Sequence, residues 1–295
     1  MVVGLLAACR RGSPQPPPRP SLADVTVRDV TPSTAGTPHL DTAALAADLR
    51  ARLAATGLFA GEAQDAGGGP ATRVRVQVAT ESVEVGDKGL ARARVGLRLD
   101  TRPSDAHGAI DETLEGQGEQ PFAVARAGSG EAGAEKAVYE RLALRVAHDL
   151  IDGFAARRKL SEGPPEAVHA ALLADAGELR EEAIHAAGQR QLRQEVPVLL
   201  KMLNDPDEAT RDAALGALIA MRDRRAVTEL TRTRSLRDRR EMRKIIEAIA
   251  ILGGEEAQDY LSFVAQSHDD DEIRAEAAAA KARLERRAGD ASNQL

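Results

Sequence analysis

The sequence predicts two domains: an N-terminal two-layer α+β domain, mainly an antiparallel sheet with two helices, and then an all-α repeat solenoid. Three observations predict this. Segments that alternate apolar and polar residues fill the first half. Two helical stretches with an i, i+4 apolar stripe flank them. The second half repeats itself with a period near 31 residues. A chain of 295 residues has room for two domains of ordinary size. Its apolar fraction of 43% supplies real cores, and with only 2% aromatics those cores are built from Ala, Leu and Val. Such composition suits close helix packing better than a large aromatic pocket.

The α+β domain is placed at 22–160. LADVTVRDV alternates, with Val25 and Val27 on one face, and reads as a half-buried strand. DTAALAADLRARLAATGLF is a helix with Leu45, Leu49 and Leu53 in one stripe; Gly57 ends it, and Leu58 and Phe59 fold back onto the core. GEAQDAGGGPA is a loop. TRVRVQVATESVEV turns Val74, Val76 and Val78 inward. GDKG at Gly86 to Gly89 reads as a hairpin turn. LARARVGLRLDT comes next, with Ala91, Ala93, Val95, Leu97 and Leu99 on one face. DETLEGQGEQPF reads as a short or edge strand weakened by its glycines. From about Glu135 a long helix carries Val138, Leu142, Val146, Leu150 and Phe154 in one stripe. Alternating strands need cover on one side only, and the two helices supply it.

This order, a helix ending in ATGLF and then a hairpin, is similar to small α/β domains of bacterial envelope accessory proteins. Examples are the N-terminal domain of the Tol-system translocation protein and the lipoprotein activators of peptidoglycan synthases. The similarity implies no particular functional residue here.

The repeat domain is placed at 161–290. REEAIHAAG from Arg180, RDAALGALI from Arg211, RKIIEAIAI from Arg243 and RAEAAAAKA from Arg274 align, with arginines 31, 32 and 31 residues apart. Val168, Leu199, Leu230 and Leu261 form a second column spaced by 31 throughout. The two columns imply about four helix pairs. Within one unit, VPVLLKML is a first helix, NDPDE a turn, and ATRDAALGALIAM a second helix with Pro206 in its first turn. A lone pair cannot bury its apolar face, so neighbours must stack.

LLKMLNDPDEATRDAALGAL, from Leu199 to Leu218, resembles the short HEAT repeat LLxxLxDxdxxVRxxAaxAL, as found in HEAT-like proteins related to phycobilin lyases. Asp205 and Arg211 fall on the turn aspartate and second-helix arginine of that pattern. Thr210 stands where the family has valine, and its hydroxyl calls for a partner. The third unit lacks a tidy aspartate turn and carries RTRSLRDRR instead. The resemblance implies a HEAT-like solenoid that acts as a platform for proteins. The lyase activity of some relatives is not carried over, since nothing marks a pigment site.

The chain's one cysteine stands in Leu6-Ala7-Ala8-Cys9. This resembles the lipobox of bacterial lipoproteins. The resemblance implies a signal peptide at 1–8, acylation of Cys9, and an acyl anchor with a Pro-rich tether at 9–21. The membrane is then a partner through the Cys9 acyl chains, and the soluble domains face the periplasm or cell exterior. Each buried CH₂ of an acyl chain contributes about 0.8 kcal/mol to anchoring. Without acylation the same chain reads as a cytoplasmic scaffold.

Chemistry is sparse. A single cysteine excludes an internal disulfide and a cysteine metal cluster. GxxxxGK[ST], HExxH and GxSxG are absent. The six histidines are scattered; His169 and His185 lie in neighbouring helical segments and are weighed as a zinc pair, against capping or solvated roles. DDDE at Asp269 to Glu272 lacks calcium-loop spacing and reads as a helix start. No enzyme activity, cofactor or metal is expected. Seven cations fall within thirteen residues: Arg232, Arg234, Arg237, Arg239, Arg240, Arg243 and Lys244. They are the partner-binding candidates, suited to an acidic protein or envelope polymer; the plainer reading is a solvated face, neutralised by Asp238, Glu241, Glu255 and Glu256. Nucleic acid is not expected, because net charge is −6 and no aromatic is interleaved to stack bases. Together these features point to an envelope-tethered binding or scaffold protein, or to an accessory activator of a cell-wall or envelope enzyme.

Overall fold

The computed structural model describes residues 19–32, 39–60, 70–85, 88–106, 109–123, 132–174, 177–233 and 238–292. The chain divides into two compact units, Met1–Ala155 and Ala156–Leu295. Residues 1–18, with Cys9 and most of the Pro-rich stretch, and Gly86 and Asp87 of the expected hairpin turn lie outside the described residues, whereas Ser21 of the expected tether already belongs to the first strand.

The first unit runs β1 (Ser21–Asp29), α1 (Thr42–Ala55), β2 (Ala71–Val85), β3 (Lys88–Arg102), β4 (Asp111–Ala123) and α2 (Ala132–Glu162), the last helix continuing past the unit boundary. The sheet order is β1-β2-β3-β4. β1 and β2 are parallel and joined through α1, as a parallel pair requires a crossover; the other pairs are antiparallel. Val74, Val76 and Val78 of β2 and the five apolar residues from Ala91 to Leu99 of β3 are buried with Leu45, Leu49 and Leu53 of α1 and Leu142, Val146 and Phe154 of α2 in one core. Asp41 caps α1 by accepting from the Ala44 amide, and Gly57 leaves it at φ +71°.

β4 is an edge strand, as one of the two expectations had it, but it is not short. It pairs with β3 over its full length, and its two central glycines face α2. A Cβ on Gly116 would lie 3.2 Å from the Leu150 side chain, and one on Gly118 2.6 Å from Val146. The glycines let the helix approach the sheet closely rather than interrupting the strand.

The second unit holds four helix pairs: α3 (Pro165–Leu173) with α4 (Glu178–Gln189), α5 (Val196–Met202) with α6 (Glu208–Ala220), α7 (Arg225–Thr233) with α8 (Arg239–Leu252), and α9 (Glu255–Ser267) with α10 (Asp271–Ser292). Val168, Leu199, Leu230 and Leu261 are each fully buried, one in every first helix, within one continuous core.

Two local expectations are corrected. Pro206 precedes the helix: Asp207 is the N-cap of α6, and its carboxylate accepts from both the amide and the hydroxyl of Thr210. That supplies the partner the Thr210 hydroxyl needs. The third pair also has its aspartate, set within the basic run: Asp238 caps α8 by accepting from the Arg240 and Glu241 amides.

A further column shows only in the backbone. Gln191, Arg222 and Gly253, spaced by one repeat, leave α4, α6 and α8 at φ +56°, +52° and +69°. After α4 and α6 the next amides, of Leu192 and Asp223, bond back to Ala187 and Leu218. This is the left-handed helix end normally assigned to glycine.

Candidate interaction surfaces

The arginine-rich segment occupies the end of α7 and the first turns of α8. Arg234 and Arg237 lie outside the described residues. The other five cations meet acids. Arg232 faces Glu229 at 3.9 Å. Arg239 pairs with Asp270 and lies 3.6 Å from Glu272. Arg240 faces Glu208 at 3.8 Å, and Arg243 contacts Glu272 at 3.2 Å and Glu276 at 2.8 Å. Lys244 reaches Asp212 at 2.7 Å, Glu208 at 3.1 Å and Glu241 at 3.5 Å. The Asp212 carboxylate foremost holds the Lys244 ammonium above its usual pKa.

α8 thus presents cations to acidic side chains of α6 before it and of α10 after it. Of the local acids expected to neutralise the run, Glu241 does so, whereas Asp238 caps α8 and Glu256 accepts from the Thr228 hydroxyl. Arg232 meets Glu229 within its own helix, while the remaining partners of Arg239, Arg240, Arg243 and Lys244 come from about one repeat away in sequence. The pairs of Arg232, Arg240 and Arg243 are exposed, and each contributes about 0–1 kcal/mol, so they leave those cations able to exchange partners, whereas Asp270 and Lys244 are more covered. The arginine column divides as well. Arg211 and Arg274 donate to the carbonyls of Asp205 and His268, six residues back in their own turns, while Arg180 and Arg243 reach acids of the following repeat.

A second surface was not apparent in the sequence. The face of the sheet opposite α1 and α2 carries the polar residues of every strand. Register places Arg73 opposite Asp100 and Arg75 opposite Arg98. The Asp100 carboxylate, with 14% of its side chain exposed, lies 3.2 Å from Arg102 and 3.8 Å from Arg75. Arg98 turns instead to Asp111 and the Thr113 hydroxyl. Arg28, Arg73 and Arg94 are exposed on the same face, without an ion pair among the described residues. Between the strands, Gly96 and Ala79 leave an open depression of about 440 Å³, bordered by Arg94, Gln77 and Glu115.

The titratable groups elsewhere are dispersed. His169 bonds to the buried Glu195 carboxylate at 2.7 Å, and His185 lies 3.9 Å from Glu181, so the two histidines serve different acids. Asp270 caps α10 through the Glu272 and Ile273 amides. Among the described residues no group of three or more His, Cys, Asp or Glu is placed to hold a metal ion, and no helix is long and apolar enough to cross a membrane.

The family model for HEAT repeats matches residues 165–244, from α3 into α8. With the four stacked pairs, this makes the second unit a HEAT-like α-solenoid. No curated protein matches the sequence. Among solved structures, a candidate lipoprotein from Caulobacter crescentus CB15 is similar at 14% identity, over 44% of this chain and 87% of that one, with a TM-score of 0.26.

Proposed function

We propose that this protein is a non-catalytic binding or scaffold lipoprotein of the bacterial envelope, held to the membrane by acyl chains on Cys9 and working by docking other proteins. The observation that carries this reading is the stack of four helix pairs, whose successive second helices set exposed charged side chains in rows. A solenoid of that kind offers an extended binding surface. The arginine-rich run remains the candidate on this unit, since its exposed pairs can be traded for those of an acidic partner. A second reading, accessory activation of a cell-wall or envelope enzyme, draws on the open charged face of the α+β unit.

The test has two parts. Intact mass of protein from native membranes is expected to show the leader removed and lipid on Cys9; an unmodified Met1 or Cys9 thiol overturns the anchor. Partners recovered from detergent-solubilised membranes are expected to re-form a complex with the purified chain. Failure of any recovered protein to do so overturns the scaffold reading.

A further inference from the structure

We propose that the open face of the sheet around Asp100 docks an acidic segment of a partner protein; this rests on the protein-binding reading above and names its surface and its partner's chemistry. By register the face carries seven arginines against six acids, so the cations are in slight excess. Arg73, Arg75 and Arg102 surround Asp100, through register, at 3.8 Å and at 3.2 Å respectively. Arg98, directly opposite Arg75, is drawn off by Asp111. Like charges opposed across a strand pair destabilise a sheet, so this pairing needs counter-charge. Arg28 stands opposite Gln77, and Arg73 lies between Asp24 and Asp100 in register; neither forms an ion pair among the described residues, and both are exposed.

The chemistry fits carboxylates. Asp100 already shows one carboxylate seated between two guanidinium groups, and the flanking arginines offer the same planar, bidentate donors to another. Residues two apart along a strand stand about 7 Å from each other on one face. An extended segment with acids at alternate positions matches that spacing. An anionic membrane fits less well: among the described residues no aromatic side chain stands between these arginines to enter it, and Asp100, Asp111 and Glu115 would face a continuous sheet of like charge. Nucleic acid likewise finds no aromatic here to stack its bases.

The full chain is titrated at low salt with a fluorescent peptide of alternating Glu and Thr. Binding is expected to weaken about tenfold or more in Arg28→Glu/Arg73→Glu and to fall with added salt. Arg28→Lys/Arg73→Lys should keep most of it, and Arg240→Glu/Arg243→Glu on the solenoid all of it. Circular dichroism checks that each variant folds; Arg28 and Arg73 are exposed and form no ion pair among the described residues. Undetectable peptide binding by the wild type, full binding by Arg28→Glu/Arg73→Glu, or loss on solenoid reversal alone overturns the sheet face as the site. Phosphatidylglycerol vesicles that bind through Arg28 and Arg73 while the peptide does not would assign the face to lipid, which also overturns it. In each case a partner recovered from membranes would leave the scaffold reading standing, and its absence would remove that reading separately.

Discussion

Gly118 lies beneath Val146: a Cβ added to it would stand 2.6 Å from Val146 Cγ2 and 3.2 Å from Leu142 Cδ1. Valine in a helix has one strongly preferred rotamer, so it cannot swing aside. Gly118→Ala must push α2 off the sheet, at an expected cost of about 1–3 kcal/mol. Gly96 sits on the open face with nothing within 4 Å. Gly96→Ala is expected to be neutral or to gain about 0.4–1 kcal/mol from lost chain entropy in the unfolded state. Urea unfolding of both variants checks the pair; equal midpoints would contradict the assigned inner and outer faces.

Leu230 is fully buried in α7, whereas Arg232, two residues on, has 73% of its side chain exposed. Leu230→Ala is expected to cost about 2–5 kcal/mol and to weaken the interfaces on either side in the stack. Arg232→Ala should scarcely change the melting midpoint. A similar small shift in both would place the repeat register wrongly.

Arg222 holds a left-handed conformation at the end of α6 with its side chain exposed. That conformation costs a non-glycine residue about 1–2 kcal/mol. Arg222→Gly is therefore expected to raise stability by about 1 kcal/mol once the larger freedom of glycine in the unfolded chain is offset. Gln191→Gly should gain less, because the Gln191 amide donates to the carbonyls of Gly188 and Ala220 at 3.0 Å each. Calorimetry that ranks Gln191→Gly above Arg222→Gly would refute this.

The bond from the Arg225 guanidinium holds the buried Asp223 carboxyl below the usual aspartate range. A pKa lowered on folding stabilises the ionised native form. That contribution is whole above the unfolded pKa and is lost as pH falls through the folded one. The stability difference between wild type and Asp223→Asn should stay constant near neutrality and shrink once pH drops below about 4. A difference that grew with acid would have the wrong sign.

Lys244 is the best-paired cation of the ladder among the described residues, with Glu208, Asp212 and Glu241 around it. Lys244→Glu should lower the melting midpoint, more at low salt than at high, because screening weakens the new repulsion. Arg240, with 78% of its side chain exposed and Glu208 at 3.8 Å, should tolerate reversal with little change. Equal effects at all salt concentrations would mean the ladder acts through packing instead.

Where a pattern depends on local geometry, the sequence was readable. Val74, Val76 and Val78 could be assigned to one face because strand side chains alternate strictly. The Val168 to Leu261 column could be assigned to first helices because a stacked repeat must bury the same position each time. The glycines of β4 were misread because glycine in a strand signals either weakness or close approach, and only the position of α2 decides between them. The counter-charges of the basic run were sought nearby, although the stack makes residues one repeat apart neighbours.

The sequence by itself determined the element order, the buried faces and the repeat period, since these arise from backbone periodicity and from the need to bury apolar stripes. Only the tertiary structure decided which charges meet. It set Arg75 against Arg98 by strand register, gathered arginines around Asp100, and placed Lys244 against Glu208 and Asp212 across the repeat interface. A tendency toward burial is a property each residue type brings with it, whereas a long-range ion pair exists only where folding brings two distant side chains within a few ångströms.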